Sequence, residues 1–147
     1  MTIAAFKAPL FDKILVIENL LDRLDHLFIG GGMAVTFLRS QWLGTGASSV
    51  EEDRLDFARS IFERARAKKI QVHMPQDVVI ANEFAAEPGQ IRTVSAQQVP
   101  NGWYVMDIGP EAAVGFAQSL KQCRTIIWNG PMGVFEMPRF SQGTRVV

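Results

Sequence analysis

The stretch Trp128-Asn129-Gly130-Pro131-Met132-Gly133-Val134-Phe135-Glu136 sets an amide, a turn and a carboxylate directly after the apolar run Thr125-Ile126-Ile127. A buried strand that ends in such a turn carries backbone N–H groups and one acid to the carboxyl edge of a sheet, where open α/β folds bind ligands. Asn129 is an amide that can cap a helix, and Pro131 pre-sets the first helical φ. Without a ligand the same residues make an ordinary strand-to-helix turn. Glu136 can accept hydrogen bonds from ribose hydroxyls, or stand exposed in a first helical turn as a partner of the helix dipole.

A second group is Gly30-Gly31-Gly32, between the apolar Leu27-Phe28-Ile29 and a helical pattern. Glycine permits positive φ and close approach of a ligand to the backbone, and the N–H groups opening the next helix can hold an anion. Three glycines also allow tight strand–helix packing. Neither Gly-Lys-Ser/Thr nor Gly-x-Gly-x-x-Gly is present, so the segment is neither a Walker loop nor a dinucleotide fingerprint. Lys13 can meet a phosphate or be a solvated helix lysine, and Lys7 more readily the latter. His26 and His73 lack metal-ligand spacing and a cysteine partner, which makes them structural histidines rather than ligands. No nucleophile elbow and no Ser/His/Asp set is evident. Trp42, Trp103 and Trp128 are not interleaved with a basic patch, so they argue for a core rather than for single-stranded nucleic acid.

The elements that must position these groups follow from periodicity. Ile14, Ile17, Leu20, Leu21 and Leu24 recur at helical spacing and predict an amphipathic helix over about 11–24. Leu27-Phe28-Ile29 is a short strand, and a helix from Met33 to about Trp42 follows. Ser49 stands three residues before Glu52, a capping-box spacing that predicts a third helix with Leu55, Ala58, Phe62 and Ala65 inward. Its acids at the start and Arg64, Arg66, Lys68 and Lys69 at the end match the helix dipole. Ile70–Met74, Val78–Ala81 and Tyr104–Met106 read as strands, 83–102 as a surface excursion, and Pro110 to about Gln122 as a helix opening on proline. Strands alternating with amphipathic helices predict an α/β fold: a three-layer, doubly wound, Rossmann-like and mostly parallel sheet.

Composition narrows the partners. The chain has 147 residues with 15 Lys+Arg against 15 Asp+Glu, so no net field favours nucleic acid or an acidic membrane. The longest uncharged stretch near the amino end, His26 to Leu38, is too short and glycine-rich for a bilayer span. The start carries no evident secretory signal, and the lone Cys123, in a helical pattern, reads as a small buried hydrophobe. A soluble cytoplasmic protein is expected.

Several segments in consistent order resemble the carboxyl-terminal, nucleotide-binding half of phosphoglycerate kinase. They are Lys13 to Leu21, Ile29-Gly30-Gly31-Gly32-Met33-Ala34, Val50-Glu51-Glu52-Asp53, Pro75-Gln76-Asp77-Val78-Val79, Gly102-Trp103 with Asp107-Ile108-Gly109-Pro110-Glu111, the 128–136 stretch, and Phe140 with Gly143-Thr144. The match covers 12–147 as part of that domain. The resemblance implies a glycolytic phosphotransferase that moves a phosphoryl group between 1,3-bisphosphoglycerate and ADP with magnesium. Lys13 would contact nucleotide phosphates, Gly30, Gly31 and Gly32 would line the adenosine site, Asn129 and Pro131 would meet the nucleotide, and Glu136 would hold the ribose.

Departures from the family bear on activity. Residues 1–11 read as an atypical leader: the family's Gly-Gly-Ala-Lys is absent, Pro9 stands where its first lysine belongs, and Lys7 replaces that lysine only by a rerouted backbone. Val105 stands where the family usually has glycine. The terminal Gly-Gly-Gly-Asp-Ser/Thr phosphate loop and the phosphoglycerate-binding domain are missing, so a truncated fragment is expected: inactive alone, with no catalytic or metal residue of its own and weak binding of ADP or ATP. A non-catalytic binding or assembly module that reuses the fold is the alternative, and the 125–128 strand is expected at a sheet edge that favours a homo-oligomer. A nicotinamide-dependent dehydrogenase is disfavoured, because no acidic ribose-reader follows Gly30–Gly32 on a second strand.

Overall fold

The computed structural model describes the backbone of residues 2–4 and 10–147, and side chains from Lys13 onward. In chain order the elements are β1 (Thr2–Ala4), α1 (Leu10–Leu21), β2 (His26–Phe28), α2 (Gly31–Ser40), α3 (Leu55–Ala67), β3 (Gln71–His73), β4 (Asp77–Ala81), β5 (Ile91–Ser95), β6 (Tyr104–Ile108), α4 (Pro110–Leu120), β7 (Ile126–Trp128) and α5 (Gln142–Val146). Short 3-10 turns at Glu52–Arg54 and Pro138–Phe140 precede α3 and α5.

Four parallel strands form one sheet in the order β3-β2-β1-β7. Alternation along β2 defines the layers, since successive strand side chains leave opposite faces. Leu27, with Ile29 beyond the strand end, enters a core built with Ile17 and Leu21 of α1, Met33 and Phe37 of α2, and Ala58, Ile61 and Ala65 of α3. Phe28 leaves the other face and packs with Ala112, Ala113, Phe116 and Leu120 of α4. Helices therefore cover both faces of the parallel sheet, the three-layer α/β arrangement that the alternation of elements implies.

A second, antiparallel sheet runs β5-β4-β6. Its middle strand is buried, with Val78 and Ile80 packing on Leu38, Ala96 and Val99. The β4–β6 register slips between Val79 and Ile80, where Val79 pairs with Asp107 and Ile80 with Val105. Met106 is the extra residue of this bulge, and a bulge re-aims the side chains beside it.

Several expectations need correction. Residues 2–4 of the leader form β1 in the middle of the parallel sheet, pairing with both β2 and β7; three residues without a polar–apolar pattern give no strand signal. The 83–102 excursion contains β5, whose partly exposed face hides its alternation. The third helix does not begin on a Ser49 capping box: its N-cap is Arg54, with no side-chain cap bond, and the preceding turn is 3-10. Its inner face is Ala58, Ile61 and Ala65, with Phe62 only partly buried. Cys123 lies beyond the end of α4, half-buried, its thiol 3.6 Å from the Ser119 carbonyl. Lys7 and Pro9 lie outside the described residues. Among the described residues, no helix is long and apolar enough to cross a membrane.

Candidate functional site

The glycine turn sits at the carboxyl end of β2, the edge that parallel α/β sheets use for ligands. Gly30 is extended and Gly31 takes φ +60°, a conformation that glycine adopts without a Cβ penalty. A Cβ on Gly30 would meet the sulfur of Met132, so a larger residue here would have to displace that side chain. The Gly31 N–H donates to the Met132 carbonyl at 2.8 Å, and the Ile29 N–H to the His73 carbonyl at 3.0 Å. The turn is thereby tied to the loop after β7 on one side and to β3 on the other. Helix α2 starts here without a side-chain cap and without an acid in its first turn. Its opening N–H groups and positive dipole end suit an anion.

The loop after β7 brings in the remaining groups. Lys13 Nζ of α1 donates to Asn129 Oδ1 at 3.0 Å, joining two residues 116 positions apart. Gly130 has φ +104°. The chain from Asn129 to Met137 is a series of turns, not the helix that an Asn-Gly-Pro start predicts, and Glu136 is exposed in one of them. The reason is tertiary: the loop is pinned where it lies. The Met132 N–H donates to Thr144 Oγ1 at 2.8 Å, and the Val134 N–H to the Met106 carbonyl at 2.8 Å.

Asp107 is the buried hub beneath that loop. It is 3% exposed. Oδ1 accepts the Ile108 N–H and Oδ2 accepts the Gly143 N–H, each at 2.8 Å. A Cβ on Gly133 or on Gly143 would overlap its carboxylate, so the loop after β7 and the start of α5 rest directly on it. Burial pushes its pKa up to about 6, against the two backbone N–H bonds, which favour the charged form. Asp77 does a related job at α4: its carboxylate accepts the Ala112 N–H at 2.7 Å and the Glu111 N–H at 3.1 Å. It caps from a neighbouring strand a helix whose own N-cap, Gly109, has no side chain.

Between these loops and the antiparallel sheet lies a cavity of about 370 Å³, walled by Gly31, Gly32, Val78, Val105 and Val134, with Phe84 and Tyr104 at 6.0 Å from each other on its lining. Gly31 and Gly32 thus line it, whereas Lys13, Gly30, Asn129, Pro131 and Glu136 stand outside its walls. The Val105 N–H is taken up by Ser48 Oγ at 2.8 Å. The walls are mainly apolar and suit a flat apolar moiety, with the uncapped α2 terminus nearby for a charged tail. Among the described residues no three His, Cys, Asp or Glu side chains gather as a metal site. The one carboxylate in the wall, Asp107, is already engaged by two N–H groups, so these residues do not form a magnesium cage.

Asp77 and Asp107 are the residues that sequence reasoning left unassigned. The available signal is an acid inside an otherwise apolar strand run, Tyr104–Ile108 and Asp77–Ala81, since a buried carboxylate needs partners. Their partners lie 34–36 residues away and are not visible in the chain's local pattern.

Comparison with known proteins agrees with this fold. The family model described as phosphoglycerate kinase matches residues 8–147. The phosphoglycerate kinase of Synechococcus elongatus is 50% identical over 135 residues, 92% of this chain and 33% of that protein. That of Moorella thermoacetica is 49% identical over 141 residues, 95% of this chain and 35% of that protein. The solved phosphoglycerate kinase of Coxiella burnetii superposes with a TM-score of 0.93 at 37% identity, over 99% of this chain and 37% of that one. The chain thus spans about a third of the length of the relatives it matches. The match over residues 8–147 places this chain in the phosphoglycerate kinase family.

Proposed function

We propose that this chain forms the nucleotide-binding part of a phosphoglycerate kinase, the enzyme class that transfers a phosphoryl group between 1,3-bisphosphoglycerate and ADP. The observation that carries the reading is the convergence of Lys13, Asn129 and the Gly30–Gly32 turn at the carboxyl edge of the parallel sheet, beside the cavity. Gly31 and Gly32 flank the adenosine, Lys13 and the opening N–H groups of α2 hold the phosphates, Asn129 and Pro131 guide the nucleotide across the loop, and Glu136 accepts from the ribose hydroxyls. Magnesium enters on the phosphates, keeping most of its waters, as this ion commonly does. In such transfers the protein's contribution is positioning and charge stabilisation. Lys13 supplies charge, and the short bond to Asn129 keeps its amine near the turn.

Residues 1–147 taken by themselves bind ADP or ATP weakly and do not turn over. Phosphoryl transfer needs both reactants positioned, and the groups above serve only the nucleotide. The setting is the cytoplasm, in keeping with the cytosolic phosphoglycerate kinase of Nicotiana tabacum at 48% identity. Calorimetric titration with ADP tests the reading: weak heat of binding in the wild type, and none in Glu136→Ala, are expected. An unchanged dissociation constant in Glu136→Ala removes the ribose assignment, and a coupled assay giving turnover of about 1–100 per second for this chain alone removes the inactivity.

A second reading, a non-catalytic assembly module, draws on β7. Among the described residues this strand pairs with β1 on one side only, and Ile126 and Trp128 are 46% and 41% exposed. In that reading two copies meet along β7 as a homodimer.

A further inference from the structure

The nucleotide reading leaves unused a pair of histidines at the other lateral side of the parallel sheet. His26 opens β2 and His73 closes β3, neighbouring strands in parallel register. His26 Nδ1 and His73 Nε2 are 3.0 Å apart. The ring centroids stand 5.3 Å apart with 28° between planes, so the rings meet edge to edge, close to one plane, with the nitrogens facing along the line between them. On its other side His73 lies flat on Phe28, centroids 4.1 Å apart at 5°, and Phe116 of α4 closes over both.

We infer that the His26–His73 pair is a proton-sensitive clasp that holds β2 to β3 and, through them, the wall of the cavity. Between two neutral imidazoles one facing nitrogen carries the proton and the other the lone pair. A first added proton leaves that bond in place as imidazolium to imidazole. A second puts N–H against N–H and two like charges at hydrogen-bond distance.

Around the pair one carboxylate, beside His26, opposes the second charge, and the residues in register across the sheet do not. Across the sheet the residues in register with His26 are Gln71 on β3, Thr2 on β1 and, beyond it, Ile126 on β7, none of them titratable. Helix α4 offers Phe116, while its one acid, Glu111, is held at the far end by Gln76 at 3.2 Å. The charged neighbour is Asp25, adjacent to His26 and within its electrostatic reach. His73 itself is held below the ordinary histidine range by burial and by His26. A depressed folded pKa means that the unfolded chain binds more protons, so the stabilisation is complete above about 6.5 and is lost as pH falls through the lower folded value.

The consequence reaches the site because both strands run into it. The Ile29 N–H donates to the His73 carbonyl at 3.0 Å. Gly31 and Gly32 follow β2 and Pro75 follows β3, and all three line the cavity. Loosening the clasp in acid therefore loosens this wall first.

Amide exchange read by NMR, corrected for its intrinsic pH dependence, tests the clasp without any ligand. From about pH 7.5 to about pH 5.5 the protection of Ile29 and Gly31 should fall, about tenfold for each unit of pKa difference between open and closed states, while that of Val79, opposite Asp107 in the antiparallel sheet, does not fall. His73→Gln and His26→Gln should both be pH-independent at Ile29. Wild-type protection that stays flat, or variants that fall as steeply as the wild type, overturns the inference. A second measurement uses the wild type alone: the imidazole resonances should titrate in two separated steps, and two independent single-site curves near about 6.5 overturn it equally.

Discussion

Asp107 illustrates how a single buried acid organises a loop that carries function. Its carboxylate receives two backbone N–H groups, and two glycines exist at their positions because a Cβ would collide with it. Burial raises its pKa to about 6. A raised folded pKa means that the native state holds its proton more tightly than the unfolded one, so the contribution is fully present below about 3.8 and is lost as pH rises through about 6. Asp107→Asn removes this titration. The stability difference between wild type and Asp107→Asn, measured by denaturant unfolding from about pH 4 to about pH 7, should shift against the wild type as pH rises, by on the order of 3 kcal/mol if the whole shift is expressed. A difference that does not change across that range would show that the carboxylate titrates normally. The sign is opposite to that of the histidine clasp, so the two effects separate in one pH series.

Among the elements, α4 depends most clearly on a partner distant in sequence. Pro110 suits its first turn, and Gly109 cannot cap it through a side chain. The cap is supplied by Asp77 of β4, 7% exposed, whose carboxylate takes the Glu111 and Ala112 N–H groups. A Cβ on Gly109 would run into that carboxylate, and the Gly109 N–H donates to the Asp77 carbonyl at 2.8 Å. Asp77→Ala leaves two buried or half-buried donors unmet and should cost about 2 kcal/mol, the upper end for losing a helix cap, read by denaturant midpoint. A loss near zero would mean that water replaces the carboxylate. Between α1 and α3, by contrast, Lys68–Asp22 at 2.7 Å and Arg64–Glu18 at 3.4 Å join well-exposed side chains. Their removal should change stability little, because exposed ion pairs contribute about 0–1 kcal/mol.

For the molecule as a whole the open question is the free side of β7. Three residues pair with β1, and among the described residues no strand lies on the other side. Ile126 and Trp128 project from that edge strand half exposed, with Phe135 and Val146 exposed as well. Unpaired strand edges template pairing with other chains, and 15 basic against 15 acidic residues give no net repulsion. Sedimentation at micromolar concentration should therefore show a dimer, and Trp128→Lys should return it to monomer. A wild-type monomer at that concentration would remove the proposed association.

The α/β class, the order of most elements and the two segments at the strand ends were legible in the chain itself, because period and punctuation are local. Ile17, Leu21 and Leu27 declare their faces by spacing, and Gly30–Gly32 and Asn129–Pro131 mark turns by residue type. What the chain could not disclose is whatever depends on partners far along it. The contact of Lys13 with Asn129, the seats of Asp77 and Asp107, and the pairing of His26 with His73 span 34 to 116 positions. The placement of Thr2–Ala4 between β2 and β7 pairs residues 24 and 124 positions apart. The antiparallel sheet was hidden for a different reason: β5 lies only 10 to 18 positions from its partner β4, but its partly exposed residues carry no clear alternation. Tertiary structure also overrode local preference after Pro131, where a helix start is held as turns by Thr144, Met106 and the buried carboxylate of Asp107. Propensity sets a weak bias of less than about 1 kcal/mol per residue, and several buried hydrogen bonds at about 1 kcal/mol each outweigh it.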